Sequence, residues 1–146
     1  MPDSGNWLGI DYGERTLGLA IAHPLTGPAR PLPPLANTGR ESLGPLLRSV
    51  FRQWRPAAVV IGLPLKADGT DTPMSRRIRK RAQWFGELAP GARIELHDER
   101  LTSESAARRF AERRRAGQAR RRDAARLDSM AAVLILESWM SQQGHG

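Results

Sequence analysis

The chain has 146 residues, with 23 lysines and arginines against 15 aspartates and glutamates and a net charge of +8, so a polyanionic partner is expected. The length suits a single domain over residues 1–146 with its core at about 7–142, and the absence of cysteine excludes disulfides, thiolate zinc sites and cysteine catalysis. No apolar run reaches the ~20 residues that span a bilayer and no signal peptide is recognisable at the N-terminus, so we expect a cytoplasmic protein without membrane contact.

The first third of the chain predicts a hairpin, an edge strand and a helix. Residues 7–10 and 16–22 are apolar runs separated by turn residues, which is typical of paired antiparallel strands. The proline-rich residues 24–34 predict a loop and an edge strand, because proline cannot donate to a central ladder. Thr38 and Glu41 have the spacing of a capping box and predict a helix that runs to about residue 54.

The rest of the chain alternates strands and helices. Residues 57–62 form a continuous apolar run, which predicts a strand buried on both faces. Asp71 or Thr72 is expected to cap a helix to about residue 88, and residues 93–97 predict the next strand. Further predictions are a helix over 102–115, a basic loop over 117–122 and a last helix over 123–142. This order predicts an α/β fold with a mixed sheet, in which hairpin-led antiparallel strands join parallel strands between flanking helices.

The positive charge is concentrated in one part of the sequence. Ten arginines and only three acids lie between Arg100 and Arg126, so this stretch carries most of the net charge. Such a run is often only a solvated helix face, but its position between candidate acidic residues favours contact with phosphates. The predicted nucleic-acid-binding residues are Arg76, Arg77, Lys80, Arg100, Arg108, Arg109, Arg113, Arg114, Arg115, Arg120, Arg121, Arg122 and Arg126.

Acidic residues lie at positions where a charge is costly to bury. Asp11 interrupts an apolar run and is framed by two glycines, which allow a ligand or another chain segment to approach closely. Asp98 and Glu99 follow a predicted strand, and because successive side chains point to opposite sides, only one of them is expected to face a site. The structural alternatives are a hydrogen-bonded strand end for Asp11 and a solvated turn for Asp98 and Glu99. A phosphate loop of the kind found in two-lobed ATPases is a further alternative for Asp11.

Asp128 is expected to lie at the start of a buried helical stripe. Its same-face neighbours on a helix would be Ala131, Ala132, Ile135 and Trp139, which are all apolar. The alternative is a first-turn acid that interacts with the helix dipole. Carboxylates without cysteine or a histidine cluster suit Mg²⁺ or Mn²⁺, so the acids predict a divalent-metal site that faces a polyanion.

Four motifs in this order resemble the YqgF/RuvX family, from about residue 7 to residue 142. They are Gly9-Ile10-Asp11-Tyr12-Gly13 with Leu17-Gly18-Leu19-Ala20, Gly62-Leu63-Pro64 with Asp68-Gly69-Thr70, Asp98-Glu99-Arg100-Leu101-Thr102, and Asp128-Ser129-Met130-Ala131-Ala132 with Ile135-Leu136-Glu137. The resemblance implies an RNase H-like fold similar to the RuvC resolvases. It also implies a nuclease that acts on Holliday junctions or on the 5′ end of pre-16S rRNA.

The same resemblance implies roles for individual residues. Asp11, Glu99 and Asp128 match the family's catalytic acids and would bind Mg²⁺ or Mn²⁺, with Asp98 as an additional ligand. RuvC-type sites carry a fourth acid near the last one, whereas no acid follows Asp128 here before Glu137. Resolution of a symmetric junction would require a homodimer, and trimming of rRNA would not. The alternative function is a non-catalytic nucleic-acid or ribosome-assembly protein that retains a relic acidic site.

Overall fold

A five-stranded mixed sheet forms the centre of the molecule. The computed structural model describes residues 5–25, 27–101 and 129–145. The strand order is β3-β2-β1-β4-β5, with β2 antiparallel to β1 and β3, and β4 parallel to β1 and β5. The predicted hairpin, edge strand and parallel portion are therefore confirmed. The strands are β1 (Asn6–Tyr12), β2 (Thr16–Ala22), β3 (Arg30–Ala36), β4 (Pro56–Leu63) and β5 (Arg93–Asp98).

Helices cover both faces of this sheet. Helices α1 (Arg40–Trp54) and α2 (Pro73–Leu88) share one apolar cluster with the sheet, and α3 (Met130–Met140) shares the other. Strand β4 contributes alternately to both clusters, with Val59 in the first and Val60 in the second. This two-sided burial explains why residues 57–62 are apolar without interruption.

Of the three described helices, α2 starts as predicted, whereas α1 and α3 do not. Thr72 caps α2 in a reciprocal capping box with Ser75. The predicted capping box at the start of α1 is wrong, because Gly39 is the N-cap there and no side chain caps the helix. Its φ of 127° favours glycine, so the chain begins the helix through backbone geometry instead of a side-chain bond.

Helix α3 begins later than predicted. Ser129 precedes its first residue and serves as N-cap, so the helix starts at Met130 instead of near residue 123. The predicted helix over 102–115, the basic loop over 117–122 and residues 123–128 lie outside the described residues. In the parts of the chain that are described, no helix has the length and apolar character needed to cross a membrane.

Candidate metal and nucleic-acid site

Two carboxylates, one near the end of β1 and one just after β5, lie at the edge of the sheet where the parallel strands end. Asp11 is the penultimate residue of β1, and Glu99 directly follows β5 in a 3-10 turn over Glu99–Leu101. Strand β4 lies between them, and its residue there is Gly62. A Cβ added to Gly62 would lie 2.9 Å from Glu99 Cγ and 3.0 Å from Glu99 Cδ. The absence of a side chain at Gly62 therefore lets Glu99 lie across β4 toward Asp11.

The surroundings of the two acids disfavour their charged forms. Burial raises the pKa of Asp11 above its usual range. The pKa of Glu99 rises to about 7, first because of burial and then because of the negative charges of Asp11 and Asp98. Within the described residues the side chain of Asp11 makes no hydrogen bond or ion pair. A cation placed between the two carboxylates would offset the cost of burying their charge.

The donor set fits a hard divalent cation. Asp11 and Glu99 offer carboxylate oxygens, which Mg²⁺ and Mn²⁺ prefer, at a sheet edge where α/β proteins commonly bind ligands. Across residues 5–25, 27–101 and 129–145 no three acidic or histidine side chains converge closely enough to hold a metal ion. The third predicted ligand, Asp128, lies outside the described residues.

Asp98 points away from this pair and binds its own neighbour. Its carboxylate accepts hydrogen bonds from the Arg100 backbone N–H at 2.9 Å and from Nη2 of the same arginine at 2.7 Å. Arg100 Nη1 also donates to the backbone carbonyl of Ala67 at 3.1 Å. The bond to Arg100 lowers the pKa of Asp98. As the alternation of side chains predicts, Glu99 alone of the two faces Asp11, while Asp98 ties the turn to the loop after β4.

Ser129 anchors the start of α3 to the strands that flank Asp11. Its side chain is fully buried, and its Oγ accepts a hydrogen bond from Leu19 N at 3.1 Å and donates one to Leu32 O at 2.7 Å. Leu19 and Leu32 are partners in the β2–β3 register, which shifts just before Leu19. The hydroxyl therefore bridges two backbone groups of neighbouring strands, one residue from the strand partner of Asp11, Gly18.

Three of the predicted nucleic-acid-binding residues lie on α2, and their charge extends to the same edge of the sheet. Arg76, Arg77 and Lys80 are exposed on this helix, which starts after the end of β4. Arg77 Nη1 lies 3.8 Å from Glu14 Oε1, in the turn that follows β1. This ion pair brings the first turns of α2 next to the candidate site. The other predicted arginines, from Arg108 to Arg126, lie outside the described residues.

Two contributions to the site were not predicted as such from the sequence. Gly62 appeared only as part of a motif, and its role depends on the neighbouring Glu99. Ser129 precedes an apolar helix, a pattern that predicts a helix cap, but its hydroxyl bonds to the sheet instead of the helix. His97 is buried with Nε2 2.9 Å from Ser138 Oγ, and its burial lowers its pKa. This contact ties β5 to α3.

Comparison with known proteins gives matches over nearly the whole chain. Residues 5–142 match the family model described as RuvX: Holliday junction resolvase. A relative from Salmonella typhimurium, named "Putative pre-16S rRNA nuclease", is 37% identical over 140 residues, which cover 95% of this chain and 98% of the relative. A relative of the same name from Escherichia coli O157:H7 is 36% identical over the same lengths.

Two solved structures of proteins that act on Holliday junctions share the fold of this chain. Thermus thermophilus RuvC in complex with a Holliday junction superposes with a TM-score of 0.60 at 18% identity, over 97% of both chains. The fowlpox virus Holliday junction resolvase superposes with a TM-score of 0.57 at 12% identity, over 94% of this chain and 99% of the other. At these identities the likeness shows the fold, which is the RNase H-like arrangement of the RuvC resolvases.

Proposed function

The chain belongs to the RuvX family, and we propose that it is a divalent-metal-dependent nuclease that hydrolyses phosphodiester bonds in structured nucleic acid. The observation that carries the proposal is the meeting of Asp11 and Glu99 across Gly62 at the end of the parallel strands. Burial raises the pKa of both carboxylates, and the charge of Asp11 adds to the rise at Glu99, so a cation bound between them would be favourable.

In this proposal Asp11, Glu99 and Asp128 hold Mg²⁺ or Mn²⁺ and are the catalytic carboxylates. When bound, the cation supplies charge for the scissile phosphate and lowers the pKa of a water molecule. Asp98 is not needed as a ligand, because its carboxylate is already engaged by Arg100. Its role is to hold the turn that carries Glu99 in place.

The basic residues would hold the phosphate backbone next to these acids. Arg76 and Lys80 are exposed on α2, and Arg77 pairs with Glu14 at the same edge of the sheet. Arg100 would add to this surface, and the arginine-rich stretch from Arg108 to Arg126 would provide most of the charge. Contacts of this kind position a strand and depend on salt, but they do not select a sequence.

Two substrate classes follow from the relatives and the fold. The curated relatives are named for pre-16S rRNA, whereas the solved structures of the same fold are resolvases of Holliday junctions. Both substrates are structured nucleic acids, and a protein that recognises the shape of the backbone could bind either. Cleavage of a junction on two symmetric strands would require a homodimer, so the oligomeric state in solution distinguishes the two uses.

A non-catalytic nucleic-acid or ribosome-assembly protein is the second candidate. The observation that favours it is the absence of a further acid between Asp128 and Glu137, where RuvC-type sites carry a fourth. Such a protein would bind nucleic acid and leave it intact with any divalent ion.

The test is a side-by-side cleavage assay with a four-way DNA junction, a DNA flap and an RNA that contains the 5′ segment of pre-16S rRNA. Each substrate is incubated with Mg²⁺, with Mn²⁺ and with a chelator. We expect cleavage of at least one substrate that requires the metal. Binding of all three substrates without cleavage under any metal would favour the second candidate.

A further inference from the structure

A basic cleft lies at the end of the sheet opposite the carboxylates. It has a volume of about 650 Å³ and is formed by the C-terminal ends of α1 and α2 where β4 and β5 begin. Pro56 starts β4 in the cleft, whereas Gly62 lies at the other end of the same strand. Six residue steps of about 3.3 Å separate them by roughly 20 Å. A ligand in this cleft would therefore not touch Asp11 or Glu99.

The charge lining the cleft is unbalanced. The lining contains three arginines, Arg48, Arg52 and Arg55, and one carboxylate, Glu87. Within the described residues none of these three guanidinium groups makes a hydrogen bond or an ion pair. The carbonyl ends of the two helices contribute about half a negative charge each, which leaves a net positive cleft. A concave surface with this excess attracts anions.

Arg55 occupies a left-handed backbone conformation that glycine and asparagine adopt more easily. It follows the last residue of α1 with φ 46° and ψ 60°, in the left-handed region, and it is the only described non-glycine residue with a positive φ. Glycine or asparagine commonly ends a helix in this way, and another residue costs about 1 kcal/mol there. An arginine held at this cost, at the mouth of a basic cleft, indicates a use for its side chain.

The walls between the charged groups are apolar. Phe51, Leu88 and Ala89 line the cleft and are buried, and Pro90 and Gly91 form the turn at its far side. A volume of this size lies in the range of small-molecule sites, which combine apolar walls with a few polar anchors. The ligand that fits is an anion with an organic body instead of a bare inorganic ion.

We propose that this cleft binds the phosphate of a nucleotide, with Arg52 and Arg55 as its charged anchors and the apolar wall against the nucleoside. The nucleotide is either free or one unit of a nucleic-acid strand. Only the second source rests on the proposed function, where the cleft would hold an arm of the substrate far from the scissile phosphate.

The test is binding of AMP and of a fluorescein-labelled single-stranded oligonucleotide to the full chain at low ionic strength. The variants are Arg52→Ala and Arg55→Gly, and the matched control is Arg40→Ala, which removes the same charge at the other end of α1. Each cleft variant should weaken binding by about tenfold, the usual effect of one charge-assisted hydrogen bond, while the control leaves it unchanged. Arg55→Gly should also raise the melting temperature, because it relieves the left-handed arginine.

AMP and the oligonucleotide distinguish a site for free nucleotides from a site for a nucleic-acid strand. Loss of AMP affinity in the cleft variants assigns the site to free nucleotides, and loss confined to the oligonucleotide assigns it to a strand. Affinities that are unchanged for both ligands, in both variants, would overturn the proposal. The variant Asp11→Asn should bind AMP as the unaltered chain does, so a failure of the nuclease proposal leaves this result standing.

Discussion

The side chain of Glu99 occupies the space that a Cβ on Gly62 would need, with a separation of only 2.9 Å between that Cβ and Glu99 Cγ. Gly62 lies in β4, and Glu99 begins the turn that follows the neighbouring parallel strand β5. The absence of a side chain at Gly62 therefore allows the Glu99 carboxylate to extend toward Asp11 on β1.

Gly62→Ala should displace Glu99 and reduce cleavage by about tenfold or more. The added methyl would also lie 2.5 Å from Ile135 Cδ1, so we expect a loss of about 1–3 kcal/mol of stability from overpacking. Gly86→Ala is the control, because its Cβ would meet Ile94 at an ordinary 3.7 Å and helix propensity should add about 1 kcal/mol. Cleavage by Gly62→Ala at the unaltered rate would separate Gly62 from the function of Glu99.

Stability should depend on pH through Glu99 in the absence of divalent ions. Its pKa is about 7 in the folded chain against an ordinary value of 4.5. The folded state therefore holds the proton more tightly, and stability falls as pH rises from about 4.5 to 7. Glu99→Gln should be more stable than the unaltered chain at pH 8, by about 1–2 kcal/mol after solvent screening, and equally stable at pH 4.

Thermal melts at the two pH values measure this difference. The control is Glu41→Gln, which removes a carboxylate from the exposed first turn of α1. A Glu99→Gln variant that is less stable than the unaltered chain at pH 8 would show that the carboxylate is favourable where it lies.

Ser129→Ala should destabilise the fold, because it leaves Leu19 N–H and Leu32 C=O without their bridging hydroxyl. Unpaired buried backbone groups cost about 1–3 kcal/mol, which chemical denaturation would measure. Ser141→Ala, at an exposed position after α3, is the control and should change stability little. Equal stability of the two variants would mean that the bridge contributes nothing.

Asp98→Asn should leave metal binding intact while Asp11→Asn loses it. Asp98 is engaged by Arg100 in a partly exposed ion pair, so its replacement should cost only about 0.5–1 kcal/mol. Titration with Mn²⁺, followed by its paramagnetic effect on water relaxation, compares the two variants directly. Loss of Mn²⁺ affinity in Asp98→Asn would make Asp98 a ligand.

Much of the sheet was predictable because its signals are local. The uninterrupted apolar residues of β4 and the prolines of β3 indicated a buried central strand and an edge strand, and both were found. The alternation of side chains likewise separated Asp98 from Glu99. The cap of α1 was mispredicted, since Thr38 and Glu41 have suitable spacing but Gly39 adopts a backbone conformation that starts the helix without them.

Contacts between distant parts of the chain could not be predicted in this way. The hydroxyl of Ser129 reaches Leu19 and Leu32 because the β2–β3 register shifts there, and no local pattern around Ser129 indicates that shift. The basic cleft is another case, because Arg55 and Glu87 come from different helices that only the fold brings together. Hydrophobic periodicity describes one helix or strand at a time and carries no information on contacts between distant elements.

The most direct test of the nuclease proposal is the cleavage rate of Asp11→Asn beside the unaltered chain, with Mn²⁺ and the substrate that the unaltered chain cleaves best. Asparagine keeps the size of the side chain but removes the charge that a cation requires. We expect cleavage to be lost by at least about a thousandfold, while affinity for the nucleic acid is retained. Cleavage by Asp11→Asn at the unaltered rate would contradict the proposed carboxylate site.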